Sequence, residues 1–258
     1  SQGYLQYRHR FINYDIMVLT NLYPEHLEAH GGFENYKAAK LGIFKYGAGC
    51  AQKRLSFVRP DKAKPWKVAI VNGESKYVEE FLALPFDKKI RFTTADALPT
   101  SVLGEHTLQN VAAALSVARA LGVEEEILQQ AARELKGVPG RIELIPEAEA
   151  QGFQVIVDYA FEPVAMAALY KVAEQLKPNR VIHVLGAAGG GRDRSRRPVL
   201  GRFVAERAAI VIVTNEDPYD DEPMGIIEEV ARGAEECRIK NEECRMVELV
   251  KILNRREA

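Results

Sequence analysis

Apolar residues fall along this chain in short blocks separated by longer amphipathic stretches. Ile16-Met17-Val18-Leu19 is an apolar run that ends at a polar turn, which predicts a buried strand over residues 15–20. Residues 33–46 follow with helical spacing. Further strands are expected at 67–71 and 88–94, and helices at 106–121 and 124–135. The glycine and proline of residues 137–141 mark a hinge. Beyond it, runs at 154–160 and 181–186 read as strands and 223–234 as a helix. The strand–helix alternation from 154 to 234 predicts an α/β fold with a three-layer, mostly parallel sheet. The hinge divides the chain into residues 1–138 and 139–258.

Composition narrows the class without changing this picture. The 258 residues, 47% hydrophobic and 28% charged, suffice for one large core or two ordinary ones. Lys and Arg total 35 against 36 Asp and Glu, so a net charge of −1 gives no electrostatic basis for binding nucleic acid or an anionic membrane. No apolar run reaches spanning length, and even 112–123 is interrupted by Arg119. Cys50, Cys237 and Cys244 are odd in number and lack metal-ligand spacing. Reduced thiols in a cytoplasmic protein are expected, rather than a disulfide framework.

Candidate chemistry begins in the loop after the first strand, Thr20-Asn21-Leu22-Tyr23-Pro24-Glu25-His26-Leu27-Glu28-Ala29-His30-Gly31. His26 lies at the carboxyl end of a strand, where open α/β sheets bind ligands. On the following helix, Lys40 shares a face with Tyr36, Ile43 and Phe44. Apolar surroundings disfavour the ammonium form, and a neutral amine can add carbon dioxide to become a carbamate able to bind magnesium. On spacing alone the plainer reading is favoured, a lysine whose stem packs on aromatics while its head reaches solvent.

The whole segment, T-N-L-x-x-E-H-L-x-x-H-G with Ala38-Ala39-Lys40 beyond it, resembles the central domain of the Mur ligases, and within them the UDP-N-acetylmuramoyl-tripeptide synthetases, the MurE group. The resemblance implies a magnesium-binding histidine at His26 and a carbamylated lysine at Lys40 that positions metal and substrate. Ser1, Gln6 and Arg8 match a segment whose members contact the UDP-muramoyl substrate, although a frayed terminal helix explains them as well. Asn110 stands at the family's adenine-contacting helix start, where Thr107 replaces a first asparagine. Arg141, in Val138-Pro139-Gly140-Arg141, matches an arginine that reaches the ATP phosphates, or else pairs with a nearby acid. Asp158 matches an acid on the nucleotide ribose, with a helix cap as the alternative. Phe161 and Glu162 replace the family's histidine and threonine, which removes a hydroxyl from a phosphate-facing turn and adds an anion.

The stretch Gly186 to Pro198 resembles the group's G-x-G-G-D-R-D-x-x-K-R-P loop. Four arginines in six residues there, Arg192 and Arg194 among them, point to an anionic substrate or phosphate. Glu216-Asp217-Pro218-Tyr219 occupies the place of the amino-acid specificity motif, D-N-P-R in the meso-diaminopimelate enzymes. Tyr219 cannot make the charged fork that arginine makes with a distal carboxylate, so the resemblance disfavours diaminopimelate and leaves lysine or another amino acid open as the substrate at Asp217 and Tyr219. A phosphate loop of the form G-[TK]-x-G-K-[ST] occurs nowhere in the 258 residues. The resemblance therefore implies a piece of a longer ligase, without its amino-terminal domain, its phosphate loop and its extreme carboxyl terminus. The piece is expected to hold a partial Mur ligase central domain, then a Rossmann-like carboxyl-terminal domain with a mostly parallel sheet.

The activity implied is ATP- and magnesium-dependent addition of an amino acid to UDP-MurNAc-L-Ala-D-Glu through an acyl phosphate, with the piece alone inactive. Two other readings stay open. One is a non-catalytic module, or one complemented in trans by the missing amino-terminal part. The other is a ligase of the folylpolyglutamate or cyanophycin type.

Overall fold

In the computed structural model, which describes residues 2–24, 30–51, 67–240 and 246–258, the apolar blocks become two separate parallel sheets. They belong to two compact units, Ser1–Gly137 and Val138–Ala258.

In the first unit, helix α1 (Gln2–Leu5) leads to β1 (Ile16–Leu19), α2 (Phe33–Gly49), β2 (Val68–Asn72), α3 (Val78–Leu82) and β3 (Lys88–Phe92). Helices α4 (Glu105–Ala120) and α5 (Glu125–Glu134) complete it. The strands run parallel in the order β1-β2-β3, with Ile16 opposite Val68 and Val68 opposite Lys88. Alternate residues of β2 enter different cores. Ala69 and Val71 join Met17, Leu19, Tyr36, Phe44 and Phe81 on the side covered by α2 and α3. Val68 and Ile70 join Phe92, Ala112, Ala113 and Ala120 on the side covered by α4. All five residues of β2 are consequently buried, as expected of a parallel strand sandwiched between helices. Burying Phe81 or Phe92 completely contributes about 1.5–3 kcal/mol each by transfer from water.

The second unit starts with a short antiparallel ladder, β4 (Glu143–Leu144) on β5 (Ile156–Val157). Then come α6 (Pro163–Gln175), β6 (Ile182–Leu185), α7 (Arg196–Ala205), β7 (Ile210–Thr214), α8 (Pro223–Lys240) and β8 (Glu248–Ile252), with β6-β7-β8 parallel in that order. Helices α7 and α8 lie close together. A Cβ on Gly201 would fall on the Val230 carbonyl oxygen, and one on Gly233 on the Pro198 carbonyl oxygen.

Several expectations are corrected. The strand expected over 154–160 shrinks to Ile156–Val157 and pairs antiparallel. The run at 181–186 is not buried throughout, since Ile182 and Val184 are about half exposed (52% and 49%). Instead of three layers, residues from α6, α7 and α8 share one core with Leu185, Val211 and Val213, on one face of the sheet. Winding β6-β7-β8 in one direction with right-handed crossovers puts α7 and α8 on the same side. Residues after β8 form turns. Cys237 is disulfide-bonded, where reduced thiols were expected; Cys50 is free. No helix among the described residues is long and apolar enough to cross a membrane.

Candidate functional site

In the first unit the polar groups gather where the strands end. Asn72, the last residue of β2, is buried, and its amide donates to the Thr20 carbonyl just past β1 (2.9 Å). Its own oxygen accepts from the Glu74 N–H (2.9 Å). Glu74 in turn accepts from the Thr94 N–H and hydroxyl (2.9 and 2.7 Å) and from the Gln109 amide on α4 (2.5 Å). The Thr94 bonds, backbone first, hold the Glu74 carboxyl below its usual range, against a smaller opposing effect of burial. These bonds tie the loops after β1, β2 and β3 to the start of α4.

Lys40 reaches this same end of the sheet. It is half-buried, its Nζ lies 5.0 Å from the centre of the Tyr36 ring and donates to the Asn21 carbonyl (3.3 Å). The expected apolar face is present in Tyr36 and Phe44, both buried, but the amine also meets a loop carbonyl. Buried His30 packs edge-on against Tyr36 (5.2 Å). His26 and Ser1 lie outside the described residues. Gln6, Arg8 and Asn110 are exposed. Among the described residues no group of three or more His, Cys, Asp or Glu side chains could hold a metal ion.

In the second unit, the two nucleotide candidates come together. Asp158 does not cap a helix; its carboxylate accepts the Ile142 N–H (2.8 Å), and the N-cap of α6 is Glu162. Beside it, the Arg141 guanidinium lies over the Tyr159 ring (5.2 Å), with no ion pair to an acid among the described residues. Two residues that depart from the family, Phe161 and Glu162, both engage Arg196. The guanidinium sits 5.0 Å from the Phe161 ring centre and forms an ion pair with Glu162.

The arginine cluster is largely spent inside the protein. Arg194 pairs with Glu229 on α8, and Arg196 with Glu162. Arg197 is buried and donates to Glu229 (2.7 Å), the Ala188 carbonyl (2.9 Å) and Asp221 (3.4 Å). Arg194 and, after burial's opposing effect, Arg197 hold the Glu229 carboxyl below its usual range. Of the four, only exposed Arg192 has no side-chain ion pair among the described residues. Asp217 and Tyr219 are exposed on the neighbouring turn. Burial, and then Asp217, push the Glu216 carboxyl up, with Arg255 and Arg196 opposing.

Asn72, Glu74 and Arg197 were missed as organising residues. For the first two a signal was there, polar groups directly after an apolar run in Val68-Ala69-Ile70-Val71-Asn72-Gly73-Glu74. For Arg197 there was none, because its three acceptors lie far apart in sequence.

Comparison with known proteins accounts for both units. Residues 1–118 match the model of the Mur ligase middle domain, and 140–257 that of the Mur ligase glutamate ligase domain. The chain is 31% identical over 240 residues to a UDP-N-acetylmuramoyl-L-alanyl-D-glutamate–2,6-diaminopimelate ligase of Solibacter usitatus, covering 86% of this chain and 47% of that protein. It is 34% identical over 252 residues to a UDP-N-acetylmuramyl-tripeptide synthetase of Roseiflexus sp., covering 86% of this chain and 48% of the relative. Among solved structures, MurF from Acinetobacter baumannii superposes with a TM-score of 0.63 at 19% identity, over 98% of this chain and 54% of that one, a likeness of fold. The chain thus spans about half the length of the relatives it matches. With a middle-domain match on one unit and a glutamate-ligase-domain match on the other, the chain belongs to the Mur ligase family.

Proposed function

We propose that this chain is part of an ATP-dependent ligase that adds an amino acid to UDP-MurNAc-L-Ala-D-Glu. The observation that carries the reading is the pair of Mur ligase domain matches, supported by relatives named as diaminopimelate ligase and tripeptide synthetase. The substrate carboxylate attacks the γ-phosphate of ATP to give an acyl phosphate, and the amino acid's amine displaces phosphate. Negative charge builds in both steps, so cationic and hydrogen-bonding groups must already be in place. Lys40, whose amine donates to the Asn21 carbonyl at the carboxyl end of β1, is assigned with His26 to position metal and substrate for that work. Arg141 and Asp158 are assigned to ATP, with Asn110 at the adenine. Ser1, Gln6 and Arg8 are assigned to the UDP-muramoyl substrate, and Arg192 to a substrate anion. Arg194, itself exposed, takes part only if it leaves Glu229, which would keep Arg197 as a partner.

Magnesium, when bound, would neutralise phosphate charge, and His26 with a carbamylated Lys40 are the residues assigned to hold it. The phosphate loop has to be supplied by residues other than these 258, in the same polypeptide or in trans. Glu216, Asp217 and Tyr219 favour an amino acid with a neutral or cationic side chain over diaminopimelate. The reading is tested by ATP-dependent phosphate release with UDP-MurNAc-L-Ala-D-Glu and a panel of amino acids, with and without a phosphate-loop half from a relative. Turnover is expected only in the complemented form, and Lys40→Ala should lower it by about 100-fold or more. Silence with the half supplied would overturn the ligase reading.

A further inference from the structure

The glycine loop and the turn that follows β7 are not two independent loops. Gly189 N–H donates to the Asp217 carbonyl (2.8 Å), and a Cβ on Gly189 would fall on the Pro218 carbonyl oxygen. One residue on, a Cβ on Gly190 would lie 2.7 Å from the Tyr219 ring, so the ring rests on the space that a side chain at 190 would fill. Earlier in the loop a Cβ on Gly186 would stand 2.8 Å from the Thr214 carbonyl oxygen. Tyr219 itself takes a left-handed backbone (φ 51°), which a non-glycine residue adopts at a cost. Its side chain is nevertheless 64% exposed. A strained, exposed aromatic fixed by packing at its base is held in place for contact with something else.

The clamp beneath this arrangement is Arg197. It is only 2% exposed and its guanidinium holds three separate pieces, the Ala188 carbonyl of the glycine loop, Asp221 of the turn and Glu229 of α8. The charge is matched by two carboxylates, as a buried cation requires. A planar fork can serve several acceptors in fixed directions, which a lysine ammonium cannot do.

We infer that Arg197 and Gly190 are positioning residues for amino-acid selection: Arg197 locks the glycine loop to the 217–221 turn, and Gly190 sets where Tyr219 stands against the incoming amino acid. The inference rests on the reading that residues 216–219 face that amino acid. It assigns the loop's glycines to close packing against the turn. Arg197 and Gly190 touch no substrate and act through Tyr219.

The test uses the isotope-labelled 258-residue chain, titrated with individual L-amino acids and, separately, with ADP, following backbone amide shifts. Wild type should show at least one amino acid that moves the Gly190 and Tyr219 amides together. Asp221→Asn, which loosens the clamp without emptying a buried site, should weaken that binding by about tenfold, and Arg197→Lys by more, with shifts caused by ADP unchanged. Gly190→Ala should change the rank order of the amino acids. Hydrogen exchange at the Gly189 amide should quicken about tenfold in Asp221→Asn while β7 amides keep their protection. The inference is overturned if no amino acid moves these amides, or if folded Asp221→Asn and Gly190→Ala bind and rank amino acids as wild type does. Equal loss of protection throughout the unit would show Arg197 to be a stability residue only, and would also overturn it. Failure of the ligase reading shows itself elsewhere, as absent phosphate release with the phosphate-loop half supplied.

Discussion

The two parallel sheets look alike in sequence and differ in what covers them. Val68-Ala69-Ile70-Val71 and Ile210-Val211-Ile212-Val213 are both unbroken apolar runs at the centre of three parallel strands. Around β2 both faces are packed, by α2 and α3 on one side and α4 on the other. Around β7, Val211 and Val213 are fully buried beneath α6, α7 and α8, while Ile210 and Ile212 are only partly so. Ile182 and Val184 lie opposite those two residues in register and extend the same uncovered face. An apolar run records that both faces of a strand are suited to burial. It does not record which face a neighbouring helix covers; topology decides that.

The largest expected effect is on the doubly covered sheet. Phe92→Ala should cost the first unit about 3–5 kcal/mol, because the ring is wholly buried between β2 and α4. Hydrogen exchange, which reads each unit separately, would measure this. A loss under about 1 kcal/mol would show that this core is no better packed than the open face.

The next effect probes the covered face of β6. His183 is only part-buried by surface area, but its ring stacks on Tyr170 (5.5 Å) and its Nδ1 meets the Tyr170 hydroxyl (3.0 Å). Burial pushes the imidazole down to about 4 and the Tyr170 phenol up. A histidine with a depressed folded pKa binds fewer protons folded than unfolded between the two values. Its stabilisation is therefore complete above about pH 6.5 and lost as pH falls toward 4, by up to roughly 3 kcal/mol. Denaturation of wild type and His183→Asn over this range should show the slope in wild type and its loss in the variant; equal slopes would mean that β6 is open on both sides.

Smallest is the change on the exposed face. Val184→Lys should alter the stability of the second unit by no more than about 0.5 kcal/mol, since the side chain already meets solvent. A denaturation shift above about 2 kcal/mol would show that the face is occupied in solution.

Elements bounded by a strong local signal were legible in the chain. Strand β1, helix α2 and helix α4 stand within a few residues of their expected limits, because apolar periodicity and polar ends agree there. Strand β8 was missed because Glu248-Leu249-Val250-Lys251-Ile252 mixes charge into a short edge segment. The 154–160 run was read as one strand, yet Asp158 is drawn off to the Ile142 N–H and Phe161 and Glu162 to Arg196, so the ladder stops at Val157. Within the sites, motifs located the loops but not the partners of their side chains. Arginine density suggested ligand anions, whereas Arg194, Arg196 and Arg197 meet the protein's own acids.

The grip of Phe161 and Glu162 on Arg196 has a consequence for how this turn can vary. The ring supplies a face and the carboxylate a charge, and one guanidinium answers both. Histidine and threonine at 161 and 162 would remove both the ring and the carboxylate that the Arg196 guanidinium now meets. The place where this guanidinium rests is therefore set by the turn before α6, so exchange at 161 or 162 frees the arginine to point elsewhere.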